Sequence, residues 1–419
     1  MGTLLFTLFF LFASLSASPI FGLENDVAMQ DASTFPLSTL ETHRRNALNQ
    51  PTSNVLHLTR KFIAPAPMRR QISEMTELYS QTAYTAEVII EGTTFNLLVD
   101  TGSSHTWITP PNNTCFNSLA GTSCQFPTHL SVPKSEKWLA PFFSGYMDGS
   151  NVTGGLIQRP LSIAGITIPD QIIGLASKAF IGRTDGSMDG LLGLGGVGGT
   201  GTPSYLPVFS SMESEGLIPE NTFSIALLGT ADLDDKRDAG LLAFGGIPKV
   251  VVPTSAWGRA RILTDSFYAI QVHGFKFQGA EKITLSEDER VVLMDSGTFL
   301  TRLPGPVAQE VWNLLPGTPK DKCTGDVNEK CKDKSGYWKV PCAGNAPSFS
   351  VVIGDVALPI SEENLIVSLK EHYCISGIVP QADDLPGILG ETFMKNVVVV
   401  HDFTDLLEPM MEVATYKLS

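Results

Sequence analysis

The chain has 419 residues, with 38 Gly, 27 Pro, 17% charged residues and a formal net charge of −14. Such a length exceeds the roughly 250–300 residues at which one hydrophobic core stops growing, so two lobes are expected. The Gly and Pro content suits a turn-rich β protein and argues against a helical bundle. Residues 1–70 carry six Lys/Arg against four Asp/Glu, which leaves the remainder at −16. A body this acidic repels nucleic acid and anionic membranes.

In chain order, the first element is an apolar, uncharged run from Leu4 to Leu15, followed by the small residues Ser16, Ala17 and Ser18. It reads as a signal peptide over residues 1–20, being shorter than the ~20 apolar residues of a bilayer span. No later segment is long enough to span, and the C-terminal residues offer no apolar tail for a lipid anchor, so a soluble, exported product is expected. Six Cys agree with an oxidising compartment. No Cys-x-x-Cys pair or His cluster accompanies them, and no metal site is expected. Residues 21–70 contain Arg44-Arg45, Arg60-Lys61 and Arg69-Arg70, a composition compatible with a disordered arm.

From Tyr84 the pattern alternates. Tyr84–Ile90 and Phe95–Val99, divided by Glu91-Gly92-Thr93, predict a hairpin that delivers Asp100 into a turn. Strand-like runs then recur through Phe223–Leu228, and the charged stretch Asp232–Asp238 is the expected neighbourhood of a lobe boundary. Gly193-Leu194-Gly195-Gly196-Val197-Gly198 matches a dinucleotide fingerprint. The residues after it, rich in Gly, Thr and Pro, predict a flexible turn instead of the helix that such a fingerprint opens.

Two segments say almost the same thing. Leu97-Leu98-Val99-Asp100-Thr101-Gly102-Ser103-Ser104 and Val292-Leu293-Met294-Asp295-Ser296-Gly297-Thr298 are apolar runs ending on a carboxylate, followed by hydroxyl, glycine, hydroxyl. The glycine permits close backbone approach, and the hydroxyls can donate to the carboxylates. Gly190-Leu191-Leu192-Gly193 ends 93 residues after Asp100, and Gly387-Ile388-Leu389-Gly390 ends 95 after Asp295. The shared offset marks an internal duplication, with one carboxylate supplied by each of two similar lobes.

These motifs resemble the pepsin-like aspartic proteases, from about Tyr79 to about Thr415. The resemblance implies an all-β, bilobal fold with two pseudo-two-fold-related β-barrel-like lobes and a cleft between them. It implies residues 21–70 as a propeptide, 71–230 as the N-terminal lobe with Asp100, and 231–419 as the C-terminal lobe with Asp295. The implied activity is acidic hydrolysis of peptide bonds by a water held between Asp100 and Asp295, without a covalent intermediate and without a cofactor. Thr101, Gly102, Ser103, Ser296, Gly297 and Thr298 would support that pair. Tyr146, in Tyr146-Met147-Asp148-Gly149-Ser150, resembles the flap tyrosine, and Trp107 the indole that donates to it. Asp148 and Gly149 fall on the same flap, which departs from the common Tyr-Gly-x-Gly-Ser form and reads as holding an extra residue before Gly154.

The family commonly bridges Cys115 with Cys124, and Cys374 resembles its second bridge end, paired with Cys342, which leaves Cys323 with Cys331. Asn112 and Asn151 head glycosylation sequons, with Asn112 preferred because a glycan on the flap would crowd the cleft. The implied partners are protein or peptide substrates and the chain's own propeptide as intramolecular inhibitor, with no nucleic acid or membrane partner, in a secreted or vacuolar monomer. The alternatives are a pepsin-like scaffold that binds without cleaving, which usually loses an Asp or adjacent Gly, and a two-carboxylate glycosidase, which leaves the paired motifs unexplained. His401-Asp402 is compatible with a serine triad in residue type, but no serine occupies a nucleophile elbow.

Overall fold

The computed structural model describes residues 55–61, 83–118, 121–182, 188–201, 204–228, 239–278, 283, 285–315, 338–342, 346–370, 373–382 and 385–419. All belong to one compact unit, residues 46–419. The signal segment, most of 21–70, the stretch Asp232–Asp238 and the pair Cys323/Cys331 lie outside the described residues.

Among the described residues the first half is built on twelve strands: β1 (Val55–Lys61), β2 (Ala83–Ile90), β3 (Thr93–Asp100), β4 (Trp107–Ile108), β5 (Thr114–Asn117), β6 (Thr122–Cys124), β7 (Pro141–Gly145), β8 (Asn151–Ile163), β9 (Ile166–Ile181), β10 (Gly190–Gly193), β11 (Thr222–Leu227) and β12 (Gly240–Phe244). The expected hairpin is present as β2 and β3, paired antiparallel from Thr85↔Leu98 to Ile90↔Thr93. Its turn residues Glu91 and Gly92 both have positive φ, 49° and 78°, the mirror-image turn that matches strand twist. Ala164 and Gly165 repeat it between β8 and β9.

Each carboxylate strand enters the same three-strand arrangement. β3 runs parallel to β10, which pairs antiparallel with β4. In the second half Val291–Met294 runs parallel to Gly387–Leu389, which pairs antiparallel with Thr301–Leu303 at Arg302↔Ile388. The paired Gly-x-x-Gly motifs follow from the crossing. A Cβ on Gly190 would lie 2.1 Å from Trp107 O, one on Gly193 2.6 Å from His105 O, and one on Gly390 2.5 Å from Thr298 O. Only glycine fits backbone packed this closely.

The halves join through one sheet. β11 pairs with β12 on one side and with Val398–Asp402 on the other, and Met410–Ala414 and Gly258–Arg261 extend it. β1 lies within the same sheet, between β12 and β2, so for residues 55–61 the disordered-arm expectation is corrected. An apolar core that includes Tyr84, Phe95, Phe223, Phe244, Phe349 and Phe393 runs through both halves. No helix among the described residues is long and apolar enough to cross a membrane.

Candidate active site

Asp100 closes β3 and Asp295 follows the strand Val291–Met294; both side chains are buried, Asp100 being 6% and Asp295 9% exposed. The glycines beyond them locate the two carboxylates against each other. A Cβ on Gly102 would lie 2.5 Å from Asp295 Cγ, and a Cβ on Gly297 would lie 2.6 Å from Asp100 Cγ. Each glycine leaves open the space that the opposite carboxylate occupies.

Beneath the pair, Thr101 and Ser296 interlock. Thr101 N–H donates to Ser296 Oγ at 3.1 Å and Ser296 N–H donates to Thr101 Oγ1 at 3.0 Å. The two hydroxyls donate in turn across the seam, Thr101 to Met294 O at 2.8 Å and Ser296 to Val99 O at 2.9 Å. Every polar group in this crossed set is used twice or satisfied once, as burial requires.

The carboxylates are held in matching ways. Gly102 N–H donates to Asp100 Oδ1 and Gly297 N–H to Asp295 Oδ1, each at 2.8 Å. Ser103 Oγ donates to Asp100 Oδ2 at 2.6 Å and Thr298 Oγ1 to Asp295 Oδ2 at 2.5 Å. Burial first, and then the charge of Asp295, raise Asp100 above the usual carboxylate range, against the opposing bonds from Ser103 and Gly102. Like charges held this close oppose each other.

Above them stands the β7–β8 hairpin. Trp107 Nε1–H donates to the Tyr146 hydroxyl at 2.7 Å, while the same indole is buried edge-on against Phe126 at 5.7 Å. Burial and the nearby Asp100 charge both push the Tyr146 phenol up. Asp148, by contrast, bends into its own turn, where it accepts from Ser150 N–H at 2.9 Å and Ser150 Oγ at 3.0 Å. Gly149 supplies the φ of 84° which that turn needs. β7 and β8 pair without a break from Pro141↔Gly155 to Gly145↔Asn151. The unmatched residue is Ser177 of β9, opposite the shift between Thr153 and Gly154. Gly154 is fixed by that bulge, since a Cβ there would lie 1.9 Å from Leu175 O.

Other residues entered the site without a sequence signal. Asp189 is buried and braces the turn into β10 by accepting from Asn96 N–H at 2.7 Å and Thr128 N–H at 2.8 Å. His105 bonds the Tyr205 hydroxyl through Nδ1 at 2.6 Å beside Phe142 of β7, and burial lowers its pKa to about 4. The glycine run after Gly193 is a docking loop: Gly196 N–H and Gly198 N–H donate to Ser266 O and Asp265 O. Cys115–Cys124 and Cys342–Cys374 are disulfides with Cα separations of 4.9 and 5.2 Å. His401 is fully buried and stacks on Phe223 at 4.1 Å, away from any nucleophile, so the triad reading ends here.

The sequence profile described as eukaryotic aspartyl protease matches residues 83–407. The chain belongs to the eukaryotic aspartyl protease family. It is 26% identical over 355 residues to secreted aspartic protease 1 of Candida albicans, covering 81% of this chain and 83% of that one. A probable aspartic-type endopeptidase of Aspergillus fumigatus is 27% identical over 351 residues, 76% of each chain. Rhizopuspepsin-4 of Rhizopus niveus is 26% identical over 319 residues, 76% of this chain and 74% of its own. As an aspartyl protease the protein is a hydrolase of the class that acts on peptide bonds.

Proposed function

We propose that the protein is a secreted aspartic endopeptidase, made as a zymogen, which cleaves peptide bonds at acidic pH through Asp100 and Asp295. The observation that carries this reading is the crossed fit of each carboxylate against the glycine of the other half. The ionised member of the pair takes a proton from a water molecule whose oxygen attacks the peptide carbonyl carbon, while the protonated member hydrogen-bonds the carbonyl oxygen. Collapse of the tetrahedral intermediate breaks the C–N bond, and the proton passes to the leaving amine. Tyr146, braced by Trp107, covers the substrate. No cofactor enters.

Export is supported by the apolar leader and by the names of relatives such as secreted aspartic protease 1. Residues 21–70 act as the propeptide, residues 71–230 and 231–419 as the lobes, and the working form is a monomer. Cleavage after Arg69-Arg70 would sever β1 from the mature chain, leaving it held by its pairing to β12 and β2 and by the packing of Leu56 against the core. The decisive experiment measures hydrolysis of a denatured protein at acid pH by the wild type, Asp100→Asn and Asp295→Asn. Both variants are expected to be inactive and the wild type to be blocked by pepstatin; turnover by either variant overturns the assignment.

A further inference from the structure

The outer face of the flap carries more aromatic surface than a hairpin needs. Ser150 and Val152 are buried, Val152 in the core that holds Trp107 and against which Tyr146 packs, so the alternating residues Asn151 and Thr153 of β8 face away from that core. On one side Asn151 pairs with Gly145 of β7, and on the other with Phe180 of β9. Gly145 offers no side chain, and the ring of Phe143 leans over it, 3.3 Å from where a Cβ would stand. Phe180 stacks on Phe116 of β5, the next residue in the same cross-strand row, with centroids 5.7 Å apart and planes within 12°. Phe143, Phe116 and Phe180 are 61%, 44% and 41% exposed. Exposed apolar surface of this kind marks something that covers it.

At the centre of that row stands Asn151-Val152-Thr153, a glycosylation sequon. The Asn151 amide is engaged by a single long contact, Nδ2–H to Gly149 O at 3.4 Å, at an exposed position. We propose that Asn151 carries an N-linked glycan whose first N-acetylglucosamine lies on the flap's outer face, its C–H face against the rings of Phe143 and Phe180. The modification joins Asn151 Nδ2 to C1 of a lipid-diphosphate-linked oligosaccharide. The C1–O bond to the diphosphate breaks, the lipid diphosphate leaves, and the amide proton is lost to base. Because Asn151 points outward, the sugar covers the back of the flap and leaves the cleft open, which removes the crowding argument that favoured Asn112. The inference rests on the reading of the protein as exported.

The test separates the two by expressing the full chain behind a host secretion leader in a eukaryotic host, so that every molecule meets the transferase whatever the native leader does. Trypsin does not cut the Arg159–Pro160 bond and so releases Trp138–Lys178, in which Asn151 is the single asparagine. After glycosidase release in heavy-oxygen water this peptide is expected to carry labelled Asp at 151; recovery of the unlabelled, never-glycosylated peptide as the main species overturns the site. Phe143→Ala with Phe180→Ala tests the platform. Native enzymatic release of the Asn151 glycan should become several-fold faster, with release from Asn112 unchanged as the internal reference. Equal rates in the variant and wild type overturn the stacking.

Discussion

The two halves of the molecule solve the same problem at the dyad and diverge everywhere above it. Around Asp100 and Asp295 the correspondence is nearly atom for atom: the same glycine N–H at 2.8 Å, the same hydroxyl on Oδ2, the same crossed exchange between Thr101 and Ser296. Away from it the first half extends β8 and β9 to 13 and 16 residues and folds them into a flap sheet, whereas the described strands from Val251 onward are no longer than five. A histidine from each half differs too. His105 in the first half has Tyr205 as partner, while both ring nitrogens of His401 in the second lack a hydrogen bond. Symmetry is kept where two carboxylates must meet, and asymmetry supplies a single lid.

The largest expected effect sharpens the histidine contrast. Burial lowers His401 to about 3, below the ordinary 6.5, so the folded state holds the neutral ring. The sign follows: its contribution is fully present above the unfolded value near 6.5 and is lost as pH falls from there toward 3, below which it levels off. The span corresponds to on the order of 5 kcal/mol. His401→Phe, which keeps the stack on Phe223, should flatten the stability loss between pH 6.5 and 3 in urea titrations; parallel losses in the variant and wild type would refute it.

Next come changes that attack the symmetry itself. Gly102→Ala and Gly297→Ala each drive a methyl into the opposite carboxylate, and kcat/KM should fall by about a hundredfold in both, the cost of misplacing reacting groups by about 1 Å. Unequal losses would break the equivalence of the halves. Thr101→Val and Ser296→Ala each strand a buried N–H and carbonyl across the seam, at about 1–3 kcal/mol of stability apiece. Because both disrupt one network, the double variant should lose less than the sum by more than ~0.5 kcal/mol in a denaturation cycle. Full additivity would mean that the two residues act separately.

The parts of this design legible in the sequence are those written as contiguous runs. The Asp-centred repeats, their Gly-x-x-Gly echoes, the β2–β3 hairpin and the Tyr146 turn all announce themselves locally, and the bilobal all-β class follows from the family resemblance they carry. What escaped depends on partners far along the chain. Asp189 is anchored by Asn96 and Thr128, and His105 by Tyr205, pairings that only the closed fold creates. β1 alternates for seven residues, too few to declare itself before β12 lies beside it. The bonds of Asp148 follow a local rule, since Asp in a turn accepts from the backbone two residues on, here at Ser150.

The smallest expected effect probes the flap sheet alone. At the tip joining β8 to β9, Ala164 holds a φ of 51° and precedes Gly165 at 76°. A Cβ in this left-handed region meets the following carbonyl, a strain of roughly 1–2 kcal/mol that glycine escapes. Glycine also loses more backbone freedom on folding, so Ala164→Gly should stabilise by a net of only about 0.5–1 kcal/mol. If the flap sheet unfolds together with the rest, that gain appears in the global denaturation midpoint. If the sheet opens on its own, the gain appears instead as slower hydrogen exchange in β8 and β9 with the midpoint unmoved, and the asymmetry between the halves is then one of local stability as well as of shape.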